Sequence, residues 1–148
     1  MNTIKIKFFN NGEGIYEFKK ATKGSAGFDL KAAISKSLII KSKSSILIPC
    51  GISLALPPNL EAQVRPRSGL ALKYQVTVLN SPGTIDSDYR GEICVILINH
   101  GSKKFEVEPK MRIAQIIFTE IASIKLKEVS TLDETKRGEG GFGSTGLN

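Results

Sequence analysis

The sequence predicts an all-β protein, a jelly-roll-like β-barrel or sandwich that carries one short helix. Short runs of alternating apolar and polar residues recur along the chain, and this alternation is typical of half-buried strands. Clusters of Gly, Pro, Asn, Asp and Ser separate the runs and indicate turns. A length of 148 residues with 41% hydrophobic residues suits a single domain with an ordinary core.

The first half of the chain contains three of these strand-like regions. Residues 3–9 and 28–32 alternate apolar with polar side chains. Residues 46–56 are apolar but contain Pro49 and Gly51, which predicts two strand pieces or one strand with a bulge. Turns are expected at residues 10–14 and 57–59.

The second half begins with an alternating run at residues 60–65, followed by the one expected helix, Ser68 to Tyr74. Residues 83–92 are predicted to form a long hairpin or loop held between buried strands, because they are rich in glycine and aspartate. We expect residues 1–136 to form the barrel domain and residues 137–148 to form a flexible, glycine-rich arm. Further strands are expected at residues 76–79, 93–98, 105–107 and 113–121.

The charge and composition of the chain indicate which classes of binding partner to expect. The net charge of +7 suits either nucleic acid or a small polyanion such as a nucleoside triphosphate. The lysines are spread along the chain rather than clustered, so we expect no nucleic-acid partner; a general bias toward lysine is the alternative explanation of the charge. No apolar run approaches the roughly 20 residues of a membrane span, and the first residues do not resemble a signal peptide. A cytoplasmic protein without a membrane partner is therefore expected.

Cys50 and Cys94 are the two cysteines, and both lie in apolar, strand-like runs. Neither belongs to a C-x-x-C pair or to a Cys/His cluster, which argues against a structural zinc site. We expect two buried, free thiols, with a disulfide as the lesser alternative.

The hairpin at residues 83–92 is the first candidate site. It places Asp86, Ser87, Asp88, Tyr89 and Arg90 together in one loop. One carboxylate of the pair would be held by the arginine, and the other would be free to accept a proton as a general base. The alternative is an ordinary turn in which aspartate side chains bond to their own backbone.

Three further segments carry candidate groups. Arg67 and Ser68 precede or begin the predicted helix and suggest an anion site, although Ser68 could simply cap the helix. Asp29, Arg112 and Gln115 lie in otherwise apolar strands, where an internal salt bridge or hydrogen bond is the alternative to a functional role.

The tail offers backbone N–H groups and hydroxyls that can wrap a phosphate. Arg137 can bind phosphate oxygens, and Phe142 can stack on a base. The alternative is a solubilising tail. The glycine spacing of a dinucleotide fold is also present, but too few residues follow it for the required helix.

Five segments, in this order, resemble the five motifs of the trimeric dUTP pyrophosphatase (dUTPase) family. The resemblance covers roughly residues 22–146, and the chain departs from the family pattern at Lys110-Met111, where members often have a turn glycine. The segments are residues 26–30, 66–69, 80–92, 112–115 and 137–146.

The resemblance implies a jelly-roll homotrimer that hydrolyses dUTP to dUMP and diphosphate with Mg²⁺, lowering dUTP and supplying dUMP for thymidylate synthesis. It implies that each active site gathers pieces of three chains. Asp86 resembles the carboxylate that activates the attacking water, Gln115 a residue near the phosphates and that water, and Asp29 the acid that helps to order the water shell of the metal. No side chain is expected to bind Mg²⁺ directly, because the phosphates and water hold it.

The remaining motif residues resemble substrate-binding groups. Tyr89 resembles the ring that packs on the deoxyribose and leaves no room for a 2′-hydroxyl. Asn80 and the main chain around Thr84, Ile85 and Cys94 resemble the wall that binds uracil. Arg67, Ser68 and Gly69 resemble the cradle for the α- and β-phosphates. In the closing arm, Phe142 resembles the residue that covers the nucleobase, and Arg137, Ser144 and Thr145 resemble those that contact the γ-phosphate.

Two alternatives remain at this point. A dCTP deaminase shares the fold, but its chemistry needs a base against C4 of the pyrimidine and a different polar set there. A non-catalytic barrel that binds nucleotide or nucleic acid as a regulator is the second; it would show salt-dependent DNA binding and no turnover of dUTP.

Overall fold

The computed structural model describes residues 3–9 and 11–141. Within them the regular secondary structure consists of β-strands and one short helix, as the sequence predicts. The elements are β1 Lys5–Phe8, β2 Phe28–Lys31, β3 Leu38–Ile40, β4 Ser45–Pro49, β5 Ile52–Ala55, β6 Leu60–Arg65, α1 Ser68–Tyr74, β7 Val76–Val78, β8 Gly83–Ile85, β9 Cys94–Asn99, β10 Phe105–Val107 and β11 Arg112–Glu120.

Two larger sheets and two strand pairs build the molecule. The four-stranded sheet has the order β2-β11-β6-β8, and the three-stranded sheet has the order β4-β9-β7. The strand pairs β1-β5 and β10-β3 complete the described structure, and all pairings are antiparallel. The inward side chains of these strands form one buried cluster, whose largest fully buried members include Leu30, Ile40, Ile48, Ile52, Leu97, Ile113 and Ile116.

The apolar run at residues 46–56 forms two strands in different sheets, which confirms the first of the two predicted possibilities. β4 pairs with β9, whereas β5 pairs with β1. The break falls at Gly51, whose φ of +71° is in the left-handed region that glycine adopts without steric cost. An added Cβ on Gly51 would also lie 2.4 Å from Cα of Gly12, so the turn at residues 11–15 packs directly on this break.

The segment between β7 and β9 confirms the predicted hairpin and adds a strand to it. β7 pairs with β9, but β8 leaves this pair and joins β6 in the other sheet. The hairpin therefore connects both larger sheets before the chain reaches Asp86. The sequence does not predict β8, because three residues that include a glycine carry no alternation.

The helix spans the predicted residues, Ser68–Tyr74, but the expected cap is wrong. Arg67 occupies the N-cap position, and no side chain of the described residues caps the helix. Ser68 is instead the first helical residue, so its hydroxyl is not used as a cap. At the other end, Gln75 takes the left-handed conformation and its N–H bonds back to the carbonyl oxygen of Ala71, as helix ends commonly do.

Both cysteines are free thiols, as expected. Cys50 is fully buried, whereas Cys94 is only partly buried, because it faces the cleft described below. Among the residues that the structure describes, no helix is long and apolar enough to cross a membrane.

Candidate active site

A cleft of about 330 Å³ lies beside the hairpin at residues 83–92. It is open to solvent, and its walls are mainly apolar with a smaller polar part, which suits a flat heterocycle with polar edges. Its lining contains several predicted site residues, together with three that the sequence analysis does not single out, Leu47, Glu92 and Ile93. The complete lining is Leu47, Thr84, Ile85, Asp86, Tyr89, Glu92, Ile93 and Cys94.

Asp86 stands at the rim of this cleft, directly after β8, with its side chain exposed. Its carbonyl oxygen accepts a hydrogen bond from the N–H of Tyr89 at 3.2 Å, which closes a tight turn. The expectation that Arg90 holds one carboxylate of the pair is wrong. Arg90 donates instead to the carbonyl oxygens of Ser87 at 2.7 Å and Tyr89 at 2.8 Å. It therefore braces the turn backbone and leaves the carboxylate of Asp86 available to a ligand.

Tyr89 lies across the same turn with its ring 46% exposed. Its hydroxyl donates to the carbonyl oxygen of Glu92 at 3.2 Å. The side chain of Glu92 in turn accepts the N–H of Gly51 through Oε1 at 2.7 Å. A residue in the hairpin is therefore tied to the break between β4 and β5, a contact between residues 41 positions apart that no local pattern reveals.

Asn80 does not line the cleft among the described residues. Its side-chain amide lies against Gly83 at the start of β8, where an added Cβ on that glycine would approach Nδ2 to 3.2 Å. Thr84, Ile85 and Cys94, by contrast, lie together on the cleft wall. Of the implied uracil wall, the structure therefore brings three members together, and the fourth lies outside the cleft lining.

A second polar cluster joins three of the five motifs. Arg67 Nε lies 3.2 Å from Asp29 Oδ1, and Arg112 Nη1 lies 3.3 Å from Asp29 Oδ2. Arg67 Nη1 also donates to the carbonyl oxygen of Arg112 at 2.9 Å, and Gln115 Nε2 donates to the carbonyl oxygen of Pro66 at 3.0 Å. The salt bridge that the sequence offers as an alternative role for Asp29 and Arg112 is thus present. The same contacts hold Arg67 in a fixed position.

Ser68 and Gly69 begin α1 beside this cluster, and both are exposed. Apart from its chain neighbours and the backbone of its own helix, no described atom lies within 4 Å of an added Cβ on Gly69, so a ligand can approach the backbone closely there. Since the first N–H groups of a helix have no partner within it, this corner presents donors and a guanidinium to the same space.

The two clusters are well separated within one chain. Ile85 pairs with Ala62, so Asp86 comes level with Glu61 on β6, whereas Arg67 lies six residues further along. At about 3.3 Å per residue, this places the two backbones about 20 Å apart. The carboxylate at the cleft and the arginine of the cluster therefore cannot both touch the same phosphate in one chain.

The described part of the arm ends at residue 141. Arg137 is exposed, and its Nε donates to the carbonyl oxygen of Gly140 at 2.8 Å. Phe142, Ser144 and Thr145 lie outside the described residues, and their predicted roles stay predictions.

Burial determines the protonation state of the two cysteine thiols. Burial raises the pKa of the Cys94 thiol, and the neighbouring Glu92 carboxylate raises it further. Burial likewise raises the pKa of Cys50, with Cys94 and Glu92 adding to the effect. The thiol of Cys94 is therefore neutral at pH 7 and presents a small, weakly polar surface to the cleft.

The described residues contain no cluster of three or more His, Cys, Asp or Glu side chains that could hold a metal ion. Asp29, the one acid predicted near a metal, already lies within 3.3 Å of two guanidinium groups. This donor set fits a metal held by ligand oxygens and water, and it does not fit a protein cage.

Comparison with known proteins identifies the family of this chain. The sequence model of the dUTPase family matches residues 13–146. The chain is 57% identical over 145 residues to the deoxyuridine 5'-triphosphate nucleotidohydrolase of Rickettsia prowazekii, covering 97% of both chains. It is 47% identical over 146 residues to the protein of the same name from Fusobacterium nucleatum, covering 99% of both.

Solved structures share the fold. The dUTPase of Staphylococcus bacteriophage 80alpha with bound dUPNHPP superposes with a TM-score of 0.87 at 22% identity, covering 99% of this chain and 100% of that one. The dUTPase from phage phi11 of S. aureus gives a TM-score of 0.79 at 16% identity, covering 90% of this chain and 100% of that one. The match over residues 13–146 and the high identity to the bacterial proteins place this chain in the dUTPase family.

Proposed function

We propose that the protein hydrolyses dUTP to dUMP and diphosphate. The observation that carries this proposal is the open cleft with the exposed carboxylate of Asp86 at its rim, in a chain of the dUTPase family. Uracil fits the cleft against the main chain of Thr84 and Ile85, with Cys94 behind it. Main-chain groups select the base by hydrogen bonding, since a wrong base leaves buried donors and acceptors unpaired.

The reaction is water attack on the α-phosphorus. Asp86 accepts a proton from the water as the new oxygen–phosphorus bond forms, and the bond to the bridging oxygen breaks with diphosphate as the leaving group. A positioned base contributes roughly 10²–10⁴-fold to such a step. Gln115, whose amide already donates to the carbonyl oxygen of Pro66, supports the phosphate side of the site.

The phosphates lie on the corner formed by Arg67, Ser68 and Gly69. Arg67 is preorganised there by Asp29 and by the carbonyl oxygen of Arg112, so it loses little freedom when it binds phosphate oxygens. A bound Mg²⁺ would be held by phosphate oxygens and water, with Asp29 as the nearby acid, and would neutralise part of the phosphate charge.

A homotrimer completes this site. The carboxylate of Asp86 and the phosphate corner at Arg67 are about 20 Å apart in one chain, judged from the residue spacing along β6 and just beyond it. One nucleotide can therefore contact both groups only between two copies of the chain. Residues 121–132 support association: they follow β11 without pairing to any described strand and expose several large apolar side chains, Ile121, Ile124, Leu126, Val129 and Leu132. Large exposed apolar surface of this kind marks an interface.

The arm closes the site last. Residues 137–148 form a separate segment after the barrel domain of residues 1–136, with Phe142 over the base and Arg137, Ser144 and Thr145 on the γ-phosphate. Closure excludes bulk water and fixes the geometry of attack.

Replacing Asp86 with asparagine tests the proposed base. The amide has nearly the size of the carboxylate but cannot accept the proton, so kcat for dUTP should fall by about 10²–10⁴-fold while the dissociation constant of a non-hydrolysable dUTP analogue changes little. Asp88→Asn, in the same turn, is the matched control and should retain turnover. Equal losses of affinity and of kcat in the Asp86 variant would contradict the role as base.

The substrate is tested on the unmodified protein. Release of diphosphate and of ammonia is measured with Mg²⁺ and dUTP, dCTP or dTTP. We expect diphosphate from dUTP alone. Ammonia from dCTP would indicate a deaminase, and no turnover of any nucleotide would contradict the enzymatic function.

A further inference from the structure

We propose that Gly91 and Glu92 are positioning residues that fix the ring of Tyr89 over the cleft and thereby set the preference for deoxyribose over ribose. This inference rests on the proposed function and on the expected role of Tyr89 as the ring that packs on the deoxyribose. It assigns a role to two residues of the hairpin that do not themselves contact the reacting atoms.

Gly91 provides the space that the ring occupies. A Cβ added to Gly91 would lie 2.2 Å from the hydroxyl oxygen of Tyr89 and 2.5 Å from Cζ, distances that no pair of unbonded atoms tolerates. The ring therefore lies directly over the backbone of Gly91, and any larger residue at this position displaces it. Since the φ of Gly91 is not among the positive values, the need for glycine here is one of space and not of backbone conformation.

Glu92 holds the far end of the ring. Its carbonyl oxygen accepts the hydroxyl of Tyr89 at 3.2 Å, and its carboxylate accepts the N–H of Gly51 at 2.7 Å. Hydrogen bonds to a charged acceptor are shorter and about twice as strong as neutral ones. The carbonyl oxygen that accepts the Tyr89 hydroxyl therefore belongs to Glu92, whose side chain is bound to Gly51 outside the hairpin.

Gly51 is a rigid anchor. It is buried, its carbonyl oxygen accepts the N–H of Phe9 at 2.9 Å, and the backbone of Gly12 packs against it. The neighbouring N–H of Cys50 donates to the carbonyl oxygen of Ile93 at 2.9 Å. Bonds at Glu92 and at the next residue therefore join the segment just before β9 to the β4–β5 break.

This anchoring matters because, among the described contacts, Tyr89 is otherwise held only by its own turn. With 46% of its surface exposed, the ring could leave its position by rotation about χ1. Exclusion of one extra hydroxyl on a sugar requires a wall that does not yield, since a mobile ring simply moves aside. Gly91 and Glu92 supply that rigidity.

The test compares kcat/KM for dUTP with kcat/KM for UTP in four variants. Glu92→Ala removes the anchor, and Gly91→Ala displaces the ring while leaving Tyr89 itself unchanged. Each should lower the dUTP-to-UTP ratio by about tenfold or more, the size expected for a lost steric contact. Glu92→Gln keeps an acceptor oxygen at the same place and should restore the ratio to within about threefold of the original protein. Glu106→Ala, on the exposed face of β10, should leave it unchanged.

Thermal unfolding of every variant accompanies the assay, so that only folded protein is compared. Glu92→Ala and Gly91→Ala act by different routes, so either one that folds tests the inference. An unchanged ratio in a folded variant of either kind overturns it, as does failure of Glu92→Gln to restore the ratio. Absence of dUTP turnover in the original protein would instead contradict the proposed function.

Discussion

Tyr16 shows how one side chain can join three backbone segments. Its hydroxyl oxygen lies 2.8 Å from the carbonyl oxygen of Cys50 and 3.1 Å from that of Lys31, and it accepts the N–H of Lys31 at 3.0 Å. Burial raises the pKa of this phenol well above its ordinary value, and the adjacent Cys50 adds to the effect. The neutral phenol and the neutral Cys50 thiol therefore both belong to the folded state.

These raised pKa values predict a loss of stability in alkaline solution. Above the ordinary Cys pKa of 9.0, the unfolded chain releases the Cys50 proton but the folded chain keeps it. The folded state then binds more protons, so the free energy of unfolding falls as pH rises, by about 1.4 kcal/mol per pH unit for this group. Cys50→Ala should reduce the slope measured by denaturant unfolding between about pH 8 and 10, at fixed protein concentration.

Cys94→Ala is the matched control for that measurement. Cys94 is only partly buried, so its removal should reduce the slope less than removal of Cys50. Equal slopes in all three proteins would show that the buried thiol does not contribute to the pH dependence.

At the scale of elements, the turn before β11 holds a lysine in a conformation that suits glycine. The φ of Lys110 is +64°, in the left-handed region that favours glycine. Two hydrogen bonds hold the turn, from the N–H of Lys110 to the carbonyl oxygen of Ala32 at 2.9 Å and from that of Met111 to Glu108 at 3.1 Å. The surrounding contacts therefore impose the conformation on a residue that disfavours it.

Lys110→Asn should raise the stability of the protein. Asparagine tolerates the left-handed region better than lysine, and it avoids the extra freedom that glycine gives the unfolded chain. We expect a gain of about 0.5–1 kcal/mol, measured by denaturant unfolding. Lys104→Asn, at a lysine outside the left-handed region, is the control and should not stabilise the protein. A loss of stability in the Lys110 variant would contradict this account.

The elements also show what the sequence can predict. Strands such as β6 follow from alternation, because Leu60, Ala62 and Val64 are buried while their neighbours are not. β7 and β10 follow from it as well, because Val-Thr-Val and Phe-Glu-Val alternate. β3 and β8 do not, because Leu-Ile-Ile and Gly-Thr-Ile carry no alternation. The bounds of α1 agree with those predicted from the sequence, but the cap does not. The N-cap position is Arg67, one residue earlier than Ser68, which is already helical.

The features of the candidate site also fall into those that the sequence predicts and those that it does not. Motifs identify the exposed side chains, including Asp86 and Tyr89, because a run of polar residues between strands is visible locally. The bond from Gly51 to Glu92 and the position of Asn80 outside the cleft lining depend on which distant segments meet. Such contacts are set by the tertiary fold and leave no mark in a local pattern.

At the scale of the whole molecule, the described chain leaves two apolar surfaces uncovered. One is the row of side chains along residues 121–132. The other is a groove of about 450 Å³ between β1, β5 and β11. Its walls are almost wholly apolar, including Ile4, Ile6, Phe18, Phe28, Leu54 and Phe118. Association of copies would cover surface of this kind.

Assembly is therefore expected to depend on residues 121–132 and not on the arm. The original protein, with a chain mass of 16.1 kDa, should sediment as three chains. Ile124→Ser with Leu126→Ser should shift it toward the monomer and abolish turnover of dUTP. Truncation after Lys136 should keep the trimer but lower kcat, because closure is lost. A trimer that survives the double substitution unchanged would contradict the role of these residues.

The separation of Asp86 from Arg67 within one chain has a consequence for mixed assemblies. In the proposed trimer, a chain without the Asp86 carboxylate would inactivate a site whose phosphate corner belongs to a neighbouring chain, while its own Arg67 would still serve a different site. Mixing chains that lack Asp86 with chains that lack Arg67 would therefore restore some active sites that contain both residues.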